Sequence, residues 1–137
     1  MNKKILIIGF GRIGKKLIKR CLGFEMKVYA YDPYVEKNII KSFGGIKIED
    51  LHDGLKEADI ISLSVPLTEE THNMIGEEQL NMMKSDSFLI NCARGPLIDE
   101  NALFEALKSK KIAGAGLDVM AVSYTHLRAH ETEADLV

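Results

Sequence analysis

Short runs of apolar, mostly β-branched residues alternate with amphipathic stretches along this chain. Six of these runs predict β-strands, at residues 4–9, 27–31, 46–48, 58–65, 87–93 and 112–119. The runs "KILII" and "FLI" are apolar on both faces rather than alternating, which is typical of strands covered on both faces of a parallel sheet. The alternation therefore predicts an α/β fold with a doubly wound parallel sheet. Right-handed crossovers favour the strand order 3-2-1-4-5-6, with a ligand crevice between strands 1 and 4, where the order reverses.

Two of the amphipathic stretches are regular enough to predict helices. From Arg12 to Gly23, apolar side chains share one face and basic side chains cover the other. The apolar set is Ile13, Leu17, Ile18, Cys21 and Leu22, and the basic set is Lys15, Lys16, Lys19 and Arg20. We interpret the basic cluster as a solvated helix face. The second helix, "ENALFEALKSK", follows Asp99, its predicted N-cap.

Composition and charge exclude several classes of partner. The 137 residues, 46% of them apolar, suit one compact domain. Eighteen basic and twenty acidic residues give a net charge of −2, so we expect no nucleic acid and no membrane as partner. We expect a cytoplasmic protein, because no apolar run approaches 18 residues and no leader cleavage site is present. Cys21 and Cys92 lack ligand spacing, which favours reduced thiols and predicts no metal site.

The segment "GFGRIG", residues 9–14, stands between the first predicted strand and the first predicted helix. In a dinucleotide-binding turn, Gly9 would permit the tight turn, Gly11 would let a pyrophosphate approach the backbone, and Gly14 would let the helix pack closely. Asp32 ends the second strand, eighteen residues beyond Gly14, where an acidic side chain meets a ribose 2′-hydroxyl. Its charge would repel a 2′-phosphate, so NAD is the predicted cofactor rather than NADP. The alternative is a purely structural turn that Asp32 only caps.

Four longer motifs make the comparison specific. "GFGRIG" with "YDP", then "VPLTEETHNMI", "INCARGPLIDENAL" and "AGAGLDV", resemble the NAD-binding domain of the D-isomer specific 2-hydroxyacid dehydrogenases. The resemblance runs from about residue 3 to residue 119. It implies a Rossmann domain of an oxidoreductase that transfers hydride between NAD and a small 2-hydroxy or 2-oxo acid. It also implies a homodimer formed through the cofactor domain.

The resemblance also implies roles for individual positions. Arg12 and Ile13 would contact the pyrophosphate, and Asp32 would contact the ribose. The other implied contacts are Val65 and Pro66 at the adenine-side ribose, Cys92, Ala93 and Arg94 at the floor near the nicotinamide, and Asp118 on the nicotinamide side.

Arg94 is the one predicted catalytic residue. It follows the fifth strand and therefore faces the predicted crevice, and Gly95 leaves room beside it. A guanidinium can hold a carboxylate through two parallel hydrogen bonds, which would present C2 of the acid to the nicotinamide. In the family this arginine has that role. We interpret the neighbouring Cys92 as a packing residue rather than a nucleophile.

Hydride transfer also needs a proton donor, which in this family is a histidine oriented by a glutamate. Ser123 stands where the family pattern places the glutamate, and the histidine is expected beyond residue 137. We assign neither His52 nor His72, both predicted in loops, to that role. The chain is therefore expected to be an inactive fragment of a larger enzyme, without its substrate domain.

The sequence changes in character after Val119. Residues 121–137 match no family motif and show no apolar periodicity, so we predict a cofactor domain over 1–120 and a non-native tail. His126 and His130 lack the further ligands that a metal site needs. A non-catalytic, dimerising NAD sensor of the corepressor type remains the alternative function. The identity of the acid is not determined by these residues.

Overall fold

The computed structural model describes residues 3–93 and 95–117, and within them six strands form one parallel sheet. The strands are β1 (Lys4–Ile8), β2 (Lys27–Tyr31), β3 (Ile46–Lys47), β4 (Ile60–Leu63), β5 (Phe88–Asn91) and β6 (Gly114–Leu117). Their order in the sheet is β3-β2-β1-β4-β5-β6, and every pairing is parallel. The predicted fold class and strand order are confirmed. Predicted strands 58–65 and 87–93 were each too long, because only their central residues continue the ladder.

The α-helices of the described residues are α1 (Arg12–Gly23), α2 (Lys37–Ser42), α3 (Leu51–Glu57), α4 (Glu77–Met82) and α5 (Glu100–Lys108), and a short 3-10 helix spans Gly95–Leu97. The bounds of α1 agree with the prediction. Asp99 caps α5, since its Oδ1 accepts a hydrogen bond from the Ala102 N–H at 3.2 Å. The loop predicted around His52 was wrong, because Asp50 caps α3 by accepting from the His52 N–H at 2.9 Å. Among these helices none has the length and apolarity to cross a bilayer.

The sheet is covered on both faces, which explains its continuous apolar strands. Leu6 and Ile8 of β1 pack in one core with side chains of α3, α4 and α5. Ile5 and Ile7 pack in a second core with side chains of α1 and α2. Successive residues of one strand thus enter opposite cores, as the period of two requires.

Asp59 ties the amino ends of the central strands together. Its Oδ2 accepts a hydrogen bond from the Lys4 N–H at 2.8 Å, and its Oδ1 accepts one from the Lys84 ammonium. The Lys84 hydrogen bond, followed by that of the Lys4 backbone, lowers the pKa of the Asp59 carboxyl. These bonds stabilise the amino ends of the strands. Ligands of open α/β sheets bind at the opposite edge, at the carboxyl ends of the strands.

Candidate functional site

A groove of about 530 Å³ opens at the carboxyl ends of β1, β2 and β4. Because β1 lies between β2 and β4, this is the place where the strand order reverses and where open α/β sheets bind ligands. Five of the predicted site residues line it: Gly9, Gly11, Asp32, Val65 and Pro66. The crevice expected from the strand order is thus present.

Gly9 makes the turn that leaves β1. Its φ is +96°, a region that favours glycine, and its N–H donates to the Tyr31 carbonyl at 2.8 Å. A Cβ at this position would lie 2.6 Å from Val65 Cγ1 and 2.8 Å from the carbonyl carbon of Ser64. Both the backbone conformation and the close approach of the loop after β4 therefore require glycine here.

Gly11 and Gly14 need glycine for different reasons. A Cβ on Gly14 would lie 2.5 Å from the Gly9 carbonyl oxygen, so α1 packs directly on the turn. Gly11 has a φ of −88°, and a Cβ there would meet nothing within 4 Å. Backbone conformation therefore does not explain Gly11. The open space beside it is what a bound pyrophosphate would occupy.

The amino end of α1 begins at Gly11, which lines the groove, and it has no side-chain cap. Gly11 is the N-cap, offers no side-chain hydrogen bond, and is followed by no acidic residue in the first turn. The first N–H groups of a helix have no partner within the helix, and the helix dipole makes this end positive. Such an end binds anions. The predicted contact residues Arg12 and Ile13 lie in this first turn, and both are exposed. The side chain of Ile13 is 48% exposed, so its predicted place on the buried apolar face of α1 was wrong.

Asp32 has two structural hydrogen bonds and still borders the groove. Its Oδ2 accepts from the Phe10 N–H at 2.8 Å and its Oδ1 from the Tyr34 N–H at 3.0 Å. The capping that we considered as an alternative is therefore real. It does not exclude a ribose contact, because a carboxylate has about four lone-pair sites and these bonds use two. Asp32 can therefore accept a hydrogen bond from the glycine turn and, at the same time, accept one from a ribose hydroxyl.

The loop after β4 forms the opposite wall of the groove. Ser64 Oγ donates to the Gly9 carbonyl at 2.7 Å, which joins this loop to the glycine turn. Thr71 Oγ1 donates to the Pro66 carbonyl at 2.7 Å and accepts from the Thr68 N–H at 2.8 Å. These bonds hold the segment that carries Val65 and Pro66 in place.

Eight residues that line the groove were missed by the sequence analysis, and four of them hold the groove's loops together or border it with polar groups: Tyr34, Ser64, Glu70 and Thr71. Their signal was available, because all four follow the carboxyl ends of β2 or β4, where parallel sheets place ligand contacts.

The predicted nicotinamide end lies past β5. The Cys92 N–H donates to the Leu63 carbonyl at 2.8 Å, and the Cys92 Sγ lies 3.2 Å from Ser62 Oγ. The Ala93 N–H donates to Asn91 Oδ1 at 2.9 Å. Cys92 is thus half-buried and held by its neighbours, in keeping with a packing role. Arg94 and Asp118 lie outside the described residues, as do 121–137, and their assignments stay predictions.

These features together fit NAD. An uncapped helix terminus, open space at Gly11 and an acidic side chain after β2 are what a pyrophosphate linked to a ribose with a free 2′-hydroxyl requires. Within the described residues, no group of three or more His, Cys, Asp or Glu side chains could hold a metal ion.

Comparison with known proteins agrees with this geometry. Residues 1–132 match the family model for the NAD binding domain of D-isomer specific 2-hydroxyacid dehydrogenases. That match extends past the domain boundary predicted at residue 120, which stays a prediction. The chain is 48% identical over 118 residues to D-3-phosphoglycerate dehydrogenase of Methanocaldococcus jannaschii, covering 86% of this chain and 22% of that protein. It is 50% identical over 122 residues to glyoxylate reductase of Thermococcus litoralis, covering 86% of this chain and 35% of that protein.

Solved structures show the same likeness. D-lactate dehydrogenase from Aquifex aeolicus, complexed with NAD and lactic acid, superposes with a TM-score of 0.81 at 38% identity, over 97% of this chain and 39% of that chain. D-lactate dehydrogenase with NAD⁺ from Lactobacillus jensenii superposes with a TM-score of 0.78 at 45% identity, over 85% of this chain and 34% of that chain. The chain thus spans between about a fifth and two fifths of the length of these relatives. On its motifs, its fold and these matches, the chain belongs to the D-isomer specific 2-hydroxyacid dehydrogenase family and represents its NAD-binding domain.

Proposed function

We propose that this domain positions NAD for hydride exchange with a small D-2-hydroxy or 2-oxo acid in a larger dehydrogenase. The observation that carries the proposal is the joint placement of the glycine turn, the uncapped end of α1 and Asp32 around one groove. The relatives reported above are named as dehydrogenases or a reductase, and none of these comparisons supports the alternative of a non-catalytic sensor.

The described residues would act by binding and orienting. The first N–H groups of α1 would hold the pyrophosphate, because they are unpaired donors at the positive end of the dipole. Asp32 would accept a hydrogen bond from the adenine-side ribose, and Val65 and Pro66 would wall that ribose. Cys92 and Ala93 would form the floor toward the nicotinamide. When bound, NAD supplies the hydride acceptor or donor.

Substrate handling is proposed for Arg94, and a further cofactor contact for Asp118. Arg94 would hold the carboxylate of the acid through paired hydrogen bonds, which fixes C2 relative to the cofactor. Asp118 would contact the nicotinamide side. Because Ser123 stands where the family pattern has glutamate, we expect residues 1–137 to bind NADH without oxidising D-lactate or reducing glyoxylate.

Titration of the purified chain with NADH, followed by cofactor fluorescence, tests the cofactor site. We expect saturable binding that ADP-ribose displaces, because the pyrophosphate and ribose contacts are shared. A parallel assay that follows NADH absorbance with each acid should show no turnover. Absence of NADH binding by folded chain, or turnover that survives purification, would contradict this assignment.

We also propose that the protein is cytoplasmic and forms a homodimer through this domain. The first proposal rests on the lack of an apolar run near 18 residues in this sequence, and the second rests on the family resemblance. Sedimentation of the chain over a range of concentrations tests dimerisation, and fractionation of source cells tests the location.

A further inference from the structure

Tyr34 lies between two carboxylates at the rim of the groove. Its N–H donates to Asp32 Oδ1 at 3.0 Å, and its phenol donates to Glu70 Oε1 at 2.8 Å. All three residues line the groove, although Tyr34 and Glu70 are 36 positions apart in the sequence. The loops after β2 and β4 thus meet through one tyrosine that carries an acidic group at each end.

Both carboxylates act electrostatically on this phenol. The hydrogen bond to Glu70 and the negative charge of Glu70 raise the pKa of Tyr34, and the negative charge of Asp32 also raises this pKa. Asp32 at the Tyr34 backbone and Glu70 at the Tyr34 phenol therefore both contribute negative charge to this part of the groove.

Glu70 reaches this position because its loop is held. Thr71, the next residue, bonds the Pro66 carbonyl and the Thr68 N–H through its hydroxyl. Glu69, on the other side, is exposed as Glu70 is, but it is not a lining residue of the groove. Of two adjacent glutamates, the fold brings Glu70 alone to the groove.

No described residue that lines the groove is basic. Sites that accept a 2′-phosphate usually provide an arginine for it. Here a phosphate at that end would instead meet two carboxylates. Like charges repel, and the repulsion is reduced by water and by salt within a Debye length of about 10 Å at 0.1 M.

We propose that Glu70 is a second specificity-determining carboxylate, which acts with Asp32 to disfavour cofactors that carry a 2′-phosphate. The inference rests on the proposed placement of NAD in this groove. Tyr34 is the positioning residue, because its phenol holds the Glu70 carboxylate near the groove.

The experiment compares dissociation constants for NADH and NADPH in the full chain and in three variants. Glu70→Gln removes the charge and keeps a hydrogen-bond acceptor, Tyr34→Phe removes the phenol and keeps both charges, and Glu69→Gln is the matched control. We expect Glu70→Gln to lower the ratio of the NADPH to the NADH dissociation constant by about two- to fivefold, mainly through tighter NADPH binding. Glu69→Gln should leave the ratio nearly unchanged, and Tyr34→Phe should change it less than Glu70→Gln.

The salt dependence distinguishes electrostatic repulsion by Glu70 from an effect of the substitution on the conformation of its loop. The effect of Glu70→Gln should shrink when the salt concentration rises from 0.05 to about 0.5 M, because screening weakens the repulsion. An unchanged ratio in Glu70→Gln, with NADH still bound, would overturn the inference and leave the proposed function intact. Equal, salt-independent changes in Glu70→Gln and Tyr34→Phe would also overturn it, since they would indicate loop positioning. Failure of the wild-type chain to bind NADH would overturn both.

Discussion

Replacing Gly14 with alanine should destabilise the domain, although alanine is the better helix former. A Cβ at residue 14 would lie 2.5 Å from the Gly9 carbonyl oxygen and 3.3 Å from Ile7 Cγ2. The nearer atom belongs to the backbone of a turn that is itself held by hydrogen bonds from Ser64 and to Tyr31. It cannot rotate away as a side chain would, so either α1 or the turn must shift.

Two opposing terms set the size of the effect. Alanine gains up to about 1 kcal/mol over glycine within a helix, through lower backbone entropy in the unfolded chain. Overpacking a tight contact costs about 1–3 kcal/mol. Because the atom in contact belongs to the backbone, the cost falls in the upper part of that range, so the net loss is about 1–2 kcal/mol, which lowers the urea midpoint by about 0.5–1 M at a typical slope.

Gly23 provides a matched control in the same helix. It ends α1, is exposed, and a Cβ there would meet nothing within 4 Å. Gly23→Ala should be neutral or slightly stabilising, measured by urea unfolding with far-UV circular dichroism at constant slope. If the Gly14→Ala variant is as stable as the Gly23→Ala variant, the contact between α1 and the glycine turn does not exclude a Cβ at residue 14, and the prediction is refuted.

Three other predictions concern the site and the base of the sheet. Gly11→Val should abolish NADH binding while the circular dichroism spectrum is retained, because the side chain fills space that is empty without ligand; unchanged affinity would mean that the turn is structural only. Asp32→Ala should narrow the preference for NADH over NADPH in fluorescence titrations, and an NADPH preference in the unmutated chain would refute the cofactor assignment. Asp59→Asn should cost about 1–2 kcal/mol near neutral pH, because it weakens two hydrogen bonds to a carboxylate. Since the folded pKa of Asp59 is lowered, its contribution is present above the ordinary value of 3.8 and is lost as the pH falls through the folded pKa. The stability difference between wild type and Asp59→Asn should therefore shrink in acid, and a difference that stays constant down to pH 2 would contradict it.

The sequence by itself determined the class of fold, the order of the strands and the place of the glycine turn. These features depend on properties that a short segment carries by itself: the period of its apolar residues, the right-handedness of a crossover connection and the conformational freedom of glycine in a turn. The helix from Arg12 to Gly23 and the strand from Lys27 to Tyr31 agree with prediction to the residue, because a glycine turn precedes the helix and β-branched or aromatic residues occupy three of the five strand positions.

Only the tertiary structure decided how distant segments meet. Tyr34 contacts Glu70 across 36 positions, and Asp59 reaches the Lys4 N–H across 55. The contacts at the end of β4 likewise depend on its neighbours, since the Ser64 N–H bonds the Ile8 carbonyl of β1 and the Ser64 hydroxyl bonds the Gly9 carbonyl. No local pattern encodes such contacts, because each depends on where the sheet brings the end of another strand. The same holds for Gly11, whose open surroundings become visible only when α1 is placed on the sheet.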